Sequence, residues 1–225
     1  MEKKEVAVIR VITSADSELI AEHGRLIERY YPMLHTTTYC IEDQPHGICS
    51  QELKEQAIPK IIRLARTVQN ADAVVISCCD DPAVKELRKE LSVPVIGAGS
   101  SVCALARTYG ERTGVIGITE YAPEPYKELL GERLINLGCP ENVGCTLDLL
   151  SEAGRQGVLR QALELKKQGA DSIALACTGM STIGIAGELE RACGIPVIDP
   201  VMAEGLFAYY ACLRKETKWN RRELC

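Results

Sequence analysis

Two stretches of the chain repeat one pattern, and the repeat limits the fold more than any other feature. Ala71-Asp72-Ala73-Val74-Val75-Ile76-Ser77-Cys78 and Ala170-Asp171-Ser172-Ile173-Ala174-Leu175-Ala176-Cys177 both run from Ala-Asp through a short apolar segment to a cysteine. A charged stretch of helical pattern follows each, and then a Pro-Val-Ile run: Pro94-Val95-Ile96-Gly97 in the first copy, Pro196-Val197-Ile198-Asp199 in the second. Continuous apolar runs of this length read as strands buried on both faces, as in a parallel sheet. Each cysteine therefore stands where a strand gives out. In open α/β sheets that edge is where ligands bind.

The segments between the repeats alternate in the same way. Strands are expected over Val6–Ile12, Thr36–Ile41, the run ending at Cys78, Pro94–Ile96, Gly114–Thr119, the run ending at Cys177, and Pro196–Ile198. Helical spacing covers Ser17–Tyr30 with Asp16 as N-cap, Gln51–Gln69, Asp80–Leu91 with Pro82 in its first turn, Ser100–Tyr109, Arg155–Gln168 and Ser181–Cys193. Strands separated by helices of this length imply βαβ units, so the fold class is α/β with parallel sheets. With no low-complexity linker, the division between copies falls near Gly97 to Ser100. The expected organisation is a first lobe, 1–98, completed by a C-terminal helix, 203–225, and a second lobe, 99–202.

Composition removes several function classes. A length of 225 residues allows one large domain or two of about 100 residues. A net charge of -5 argues against nucleic acid, whose binding depends on neutralising phosphates. The basic stretch Arg214 to Arg222 reads as a solvated helical tail. No apolar run reaches the roughly 18 residues of a membrane span, and Met1-Glu2-Lys3-Lys4-Glu5 lacks the apolar core of a signal peptide. A cytoplasmic protein is expected. The 11 cysteines are then expected as thiols rather than a disulfide framework. No Cys-x-x-Cys occurs, and His23, His35 and His46 do not pair with cysteines at a ligand spacing, so no metal is expected. Cys103 and Cys212 read as small buried hydrophobes. Gly97-x-Gly99 lacks the third glycine of a dinucleotide site, and no cofactor is expected. The partner is a small-molecule substrate, and a homo-oligomer is compatible with the sequence.

Two strand-end thiols related by a repeat can face one cleft from opposite sides. Inverting a stereocentre requires one group to remove a proton and another, on the opposite face, to return one. A thiol with a reference pKa of about 8.5 suits both roles, the more so near a helix N-terminus, and Cys78 and Cys177 each precede an expected helix. Backbone N–H groups there are also candidates to stabilise an enolate. The alternative is that each is a packing residue at a strand end. Their matched placement, 99 residues apart, favours chemistry. A thiol redox or ligand-binding protein, with Cys78 and Cys79 or Cys78 and Cys177 changing state, is the reading from a different class.

Ser77-Cys78-Cys79-Asp80-Asp81-Pro82, Pro94-Val95-Ile96-Gly97 and Leu175-Ala176-Cys177-Thr178-Gly179-Met180 resemble the signatures of the aspartate/glutamate/hydantoin racemase superfamily. The Cys-x-x-Asp-Pro and Cys-Thr-Gly-Met forms are most similar to its hydantoin racemase branch. The resemblance runs from about Val6 to Val201. It implies two similar flavodoxin-like lobes related by pseudo-two-fold symmetry, with the active site in the cleft between them. It also implies cofactor-independent racemisation, of a 5-substituted hydantoin or allantoin, with Cys78 and Cys177 as the acid/base pair and Cys79 as a packing residue. An amino-acid racemase acting on aspartate or glutamate is the alternative within the superfamily.

One departure bears on substrate. Hydantoin racemases carry Asn-Pro-Asn-Thr at the end of the first strand, where this chain has Arg10-Val11-Ile12-Thr13. Arg10 either clamps a carboxylate with two hydrogen bonds or pairs with Asp81 or Asp199. The candidate substrate-binding residues are Arg10, Thr13, Gly97, Gly99, Ser100, Ser101, Thr119, Thr178 and Gly179, with an N-cap as the other reading of Ser100. Asp199 is expected to brace its turn.

Overall fold

The computed structural model describes residues 3–216. Beyond residue 216, the basic stretch ending at Arg222 and the last part of the expected C-terminal helix lie outside the described residues. Strands β1 (Lys4–Arg10), β2 (Leu34–Cys40), β3 (Ala73–Ser77) and β4 (Val95–Gly97) form a parallel sheet in the order β2-β1-β3-β4. Strands β5 (Thr113–Ile116), β6 (Leu134–Asn136), β7 (Ser172–Leu175) and β8 (Val197–Ile198) form a second one in the equivalent order, β6-β5-β7-β8. The sequence repeat is thus a repeat of sheets. In each, the order reverses between the first and third strands of the set. There Arg10 lies opposite Ser77, and Ile116 opposite Leu175.

Burial explains the apolar runs. Every residue of β3 and of β7 is buried, because helices cover both faces of each sheet. Ile9, Ile61, Val74, Ile76 and Leu87 fill one face of the first sheet. Val8, Ile27, Val75, Val201 and Ala208 fill the other. A core of Ile116, Val158, Leu165, Ile173 and Leu175 supports the second sheet. Each such aliphatic side chain contributes about 1.5–3 kcal/mol on burial.

Helix α1 (Ser17–Tyr30) starts where Asp16 accepts the N–H groups of Glu18 and Leu19, at 3.0 and 3.2 Å. Helices α2 (Gln51–Thr67) and α6 (Glu152–Lys167) are capped by Ser50 and Ser151. Helix α4 (Ala98–Tyr109) follows β4 directly and packs against α9 (Pro200–Glu216), which also contacts α1, β3 and β4. Between the sheets Cys79, Ala98, Cys103, Tyr126, Ala174 and Ala176 form a shared apolar seam, in which the Tyr126 hydroxyl donates to the Leu175 carbonyl at 2.7 Å. Cys103 and Cys212 are both buried. Among the described residues no helix is long and apolar enough to cross a membrane.

Several elements differ from the sequence reading. The helix expected from Asp80 begins only at Val84 (α3, Val84–Glu90), since Asp81 and Ala83 take left-handed φ values of 47° and 64° on either side of Pro82. The helix expected over Ser181–Cys193 is broken into α7 (Gly179–Thr182) and α8 (Ala186–Cys193) at Gly184, φ 63°. The strand expected to reach Thr119 ends at Ile116. Helix α5 (Glu124–Leu130), strand β6 and a 3-10 turn, Thr146–Leu150, form in stretches whose sequence carries no strong periodicity.

Candidate functional site

The switch points of the two sheets face each other across one cavity of about 130 Å³. From the first sheet Arg10, Ser77, Cys78 and Cys79 reach it; from the second come Ile118, Thr119, Ala176, Cys177 and Thr178. The structure therefore brings the two repeat cysteines to one site. Cys78 lies one residue beyond β3 and Cys177 two beyond β7, with exposures of 9 % and 7 %.

The two thiols sit in different electrostatic surroundings. Burial pushes both up from the ordinary cysteine value. At Cys78 the nearby carboxylates of Asp80 and Asp81 push further in the same direction, opposed only by the backbone N–H of Asp80. At Cys177 the N–H groups of Gly179 and Met180, the Thr146 hydroxyl and the Arg10 guanidinium all favour the thiolate. Thr146 Oγ1 lies 3.8 Å from Cys177 Sγ. The thiolate is therefore better supported at Cys177 than at Cys78. The helix expected to begin near Asp80 starts only at Val84, so no helix N-terminus stands directly behind Cys78.

Arg10 is buried and lines the cavity, but it pairs with neither Asp81 nor Asp199. Its Nη1 donates to the carbonyls of Leu19, and of Ile20 at 3.3 Å, in α1. Burial lowers its pKa from the ordinary arginine value, opposed by Cys40, Glu204 and Cys177. Thr119 and Thr178 line the cavity; Thr119 Oγ1 donates to the Tyr121 carbonyl at 2.7 Å, and Thr178 Oγ1 to the Ser77 carbonyl at 3.4 Å.

The remaining candidates lie outside the cavity lining. Thr13 pins a loop, donating to the Ile41 carbonyl at 2.6 Å and accepting Gln44 N–H at 2.8 Å. The Gly97–Ser101 segment is not an open cradle. Asp81 accepts the N–H groups of Gly99 and Ser100 at 2.7 and 2.9 Å, and the Ser100 and Ser101 hydroxyls donate to the Gly97 carbonyl. Gly179 stands behind Cys177, packed on Thr146 and Leu149. Asp199 braces its turn, accepting the Ser181 hydroxyl and Met202 N–H, both at 2.9 Å.

The sequence did not single out Ile48, Cys49, Lys54, Tyr121 or Thr146, all of which line the cavity. They come from loops and helix starts remote from the strand ends. Lys54 pairs with Asp80 at 3.0 Å at the mouth. Cys79 borders the cavity, yet its thiol faces the Leu175 carbonyl at 3.8 Å within the apolar seam. Among the described residues, no three His, Cys, Asp or Glu side chains are grouped to hold a metal ion.

Known proteins share this organisation. The family model described as Asp/Glu/Hydantoin racemase matches residues 25–204. A hydantoin racemase of Rhizobium meliloti is 29% identical over 216 residues, covering 90% of this chain and 86% of that protein. In fold, the chain is similar to an allantoin racemase of Klebsiella pneumoniae, with TM-score 0.77, 22% identity, and 95% and 89% of the two chains covered. It is also similar to a glutamate racemase of Bacillus anthracis, with TM-score 0.68, 18% identity, and 96% and 84% covered.

Proposed function

The chain belongs to the Asp/Glu/hydantoin racemase family and is an isomerase, and from that premise we propose that it inverts a stereocentre beside a carbonyl with Cys78 and Cys177 as its two acid/base groups. One observation carries the proposal: equivalent strand ends of two equivalent sheets bring these thiols to a single cavity. The Cys177 thiolate takes the α-proton from one face of the substrate. The C–H electron pair moves into the carbonyl, giving an enolate, and the Cys78 S–H returns a proton to the opposite face as the carbonyl re-forms. The cysteines end with their protonation states exchanged, ready for the other enantiomer. No cofactor enters this cycle, because both proton transfers are made by side chains.

The substrate class that fits best is a 5-substituted hydantoin or allantoin, whose ring carbonyl acidifies the adjacent carbon. The related proteins act on such compounds by name. An acidic amino acid is the second reading, and Arg10 at the cavity wall favours it. One nitrogen of Arg10 is already committed to α1 carbonyls, which leaves it fewer donors for a bidentate clamp.

Proton NMR in D2O tests the proposal on enantiopure 5-benzylhydantoin, allantoin, aspartate and glutamate, each with a no-enzyme control. Loss of the α-proton signal together with optical rotation on one compound identifies the class. Full activity in both Cys78→Ala and Cys177→Ala would overturn the assignment.

A further inference from the structure

Beneath the cavity floor lies a chain of polar groups, with Ser77, His23 and Glu204 buried, that the two-thiol reaction does not use. Glu204 Oε1 on α9 is 2.6 Å from Ser77 Oγ, the hydroxyl of the residue preceding Cys78. Ser77 Oγ is in turn 2.8 Å from Nδ1 of His23 on α1. His23 Nε2 lies 3.1 Å from Thr182 Oγ1 on α7, and the nearby backbone of Thr178, the residue following Cys177, favours the protonated ring against the effect of burial. His23 and Glu204 are both 0 % exposed, and the second carboxyl oxygen of Glu204, Oε2, has no partner.

The contacts hold in either tautomer of His23: its Nδ1 pairs with Ser77 Oγ and its Nε2 with Thr182 Oγ1, while Ser77 Oγ donates to Glu204 Oε1. Burial raises the Glu204 carboxyl well above the ordinary value, because an ionised carboxylate with one orphaned oxygen in this setting is strongly disfavoured.

Resting on the racemase reading above, we infer that Glu204, Ser77 and His23 are a neutral positioning relay. It ties the strand end bearing Cys78 to the turn that follows Cys177 and so sets the spacing of the two thiols across the cavity. His23 is a link because it touches both the strand end at Ser77 and the turn after Cys177, beside the direct contact of Thr178 Oγ1 with the Ser77 carbonyl at 3.4 Å. An enolate protonated from the opposite face requires both sulfurs in register, and a misplacement of about 1 Å slows catalysis on the order of a hundredfold.

The test compares wild type with His23→Phe, Glu204→Gln and Glu204→Leu, starting from one enantiomer of the compound turned over, in D2O. The quantity read is deuterium in the recovered starting enantiomer divided by deuterium in the inverted product. Partial unfolding lowers both numbers together and leaves their ratio unchanged. Loss of register raises the ratio, because the enolate waits while the thiol that formed it exchanges its proton with D2O and then returns deuterium to the same face. A rise of about tenfold or more is expected for His23→Phe and Glu204→Leu. Glu204→Gln, whose amide oxygen can still accept from Ser77, is expected to keep the wild-type ratio. An unchanged ratio in His23→Phe, or a Glu204→Gln variant as damaged as Glu204→Leu, would overturn the relay.

Should wild type turn over none of the four compounds, the proposed substrate class fails, and cross-linking decides the relay by itself. Bis-methanethiosulfonate spacers of graded length report which span bridges Cys78 to Cys177, read by peptide mass mapping. The relay requires a shifted or broadened optimum in His23→Phe; the same optimum as wild type would overturn it.

Discussion

The carboxylate of Asp81 accepts the backbone N–H of Gly99 at 2.7 Å, and it does so from a left-handed backbone position, φ 47°. The same carboxylate accepts Ser100 N–H at 2.9 Å, so it closes the start of α4 while tethering the loop that carries Cys78. The fit leaves no room for other residues. A Cβ at Gly97 would stand 2.3 Å from Asp81 Cγ, and one at Gly99 would stand 2.0 Å from the Cys79 carbonyl oxygen.

Removing the tether should therefore cost both stability and turnover. Asp81→Ala is expected to destabilise by about 1–2 kcal/mol, the scale of a lost helix cap, and to slow racemisation more than ten-fold, on the order expected for a displaced reacting group. Gly99→Ala is expected to be worse, since its clash is with backbone and overpacking alone costs about 1–3 kcal/mol. Urea unfolding and turnover decide the matter. An Asp81→Ala variant with wild-type values of both would show that the loop holds itself.

The repeat made the two sheets and the strand-end thiols legible, and local spacing with Asp16 did the same for the capped helix α1, because each follows from residues near one another in sequence. What stayed hidden depended on distant partners. Gly97, Gly99, Ser100 and Ser101 look like an open anion cradle until Asp81, remote in sequence, is seen to take the amides. Helix α3 starts late because Asp81 and Ala83 are held at positive φ by that same contact and by Pro82. His23 and Glu204 had a faint signal: a histidine one turn before Ile27 on the buried stripe of α1, and a carboxylate between Ala203 and Gly205 in an apolar stretch of α9. Their meaning required seeing α1, β3, α7 and α9 meet.

The unequal surroundings of the thiols predict unequal reactivity. Iodoacetamide reacts with thiolates, and Cys177 has Arg10, Thr146 and two N–H groups favouring its thiolate, whereas Cys78 faces Asp80 and Asp81. Peptide mapping over a time course at pH 8 should show Cys177 alkylated first. Both rates should climb with pH, since burial holds both thiols above the ordinary value. Faster labelling of Cys78 would reverse the assignment of base and acid in the resting enzyme.

Single substitutions should separate the two faces. In Cys78→Ser, the enantiomer whose proton Cys177 removes should still exchange with D2O while inversion falls on the order of 10²- to 10⁴-fold. In Cys177→Ser the other enantiomer should behave that way. Cys79→Ala should slow inversion far less, because its thiol faces the Leu175 carbonyl in the seam. Identical exchange patterns in the two serine variants, from both enantiomers, would sink the two-face mechanism.

Glu204 and His23 should leave opposite marks on stability as pH changes. Burial raises the Glu204 carboxyl well above the ordinary value, so above about pH 4.3 the folded state holds a proton that the unfolded chain has released. Its stabilising contribution is fully present below that pH and is lost as pH rises toward the folded value. Glu204→Gln cannot titrate, and its melting temperature relative to wild type should become steadily more favourable as pH is raised from about 5 to about 9. Burial depresses His23 well below the ordinary histidine value, so the sign reverses: its contribution is present above about pH 6.5 and is lost as pH falls. His23→Phe should thus look least damaging in acid. A tenfold difference in proton affinity between the folded and unfolded chains is worth about 1.4 kcal/mol, well within the reach of thermal melts at closely spaced pH values. A pH-independent difference between Glu204→Gln and wild type would mean that Glu204 keeps its charge when buried, and the relay would then not be neutral.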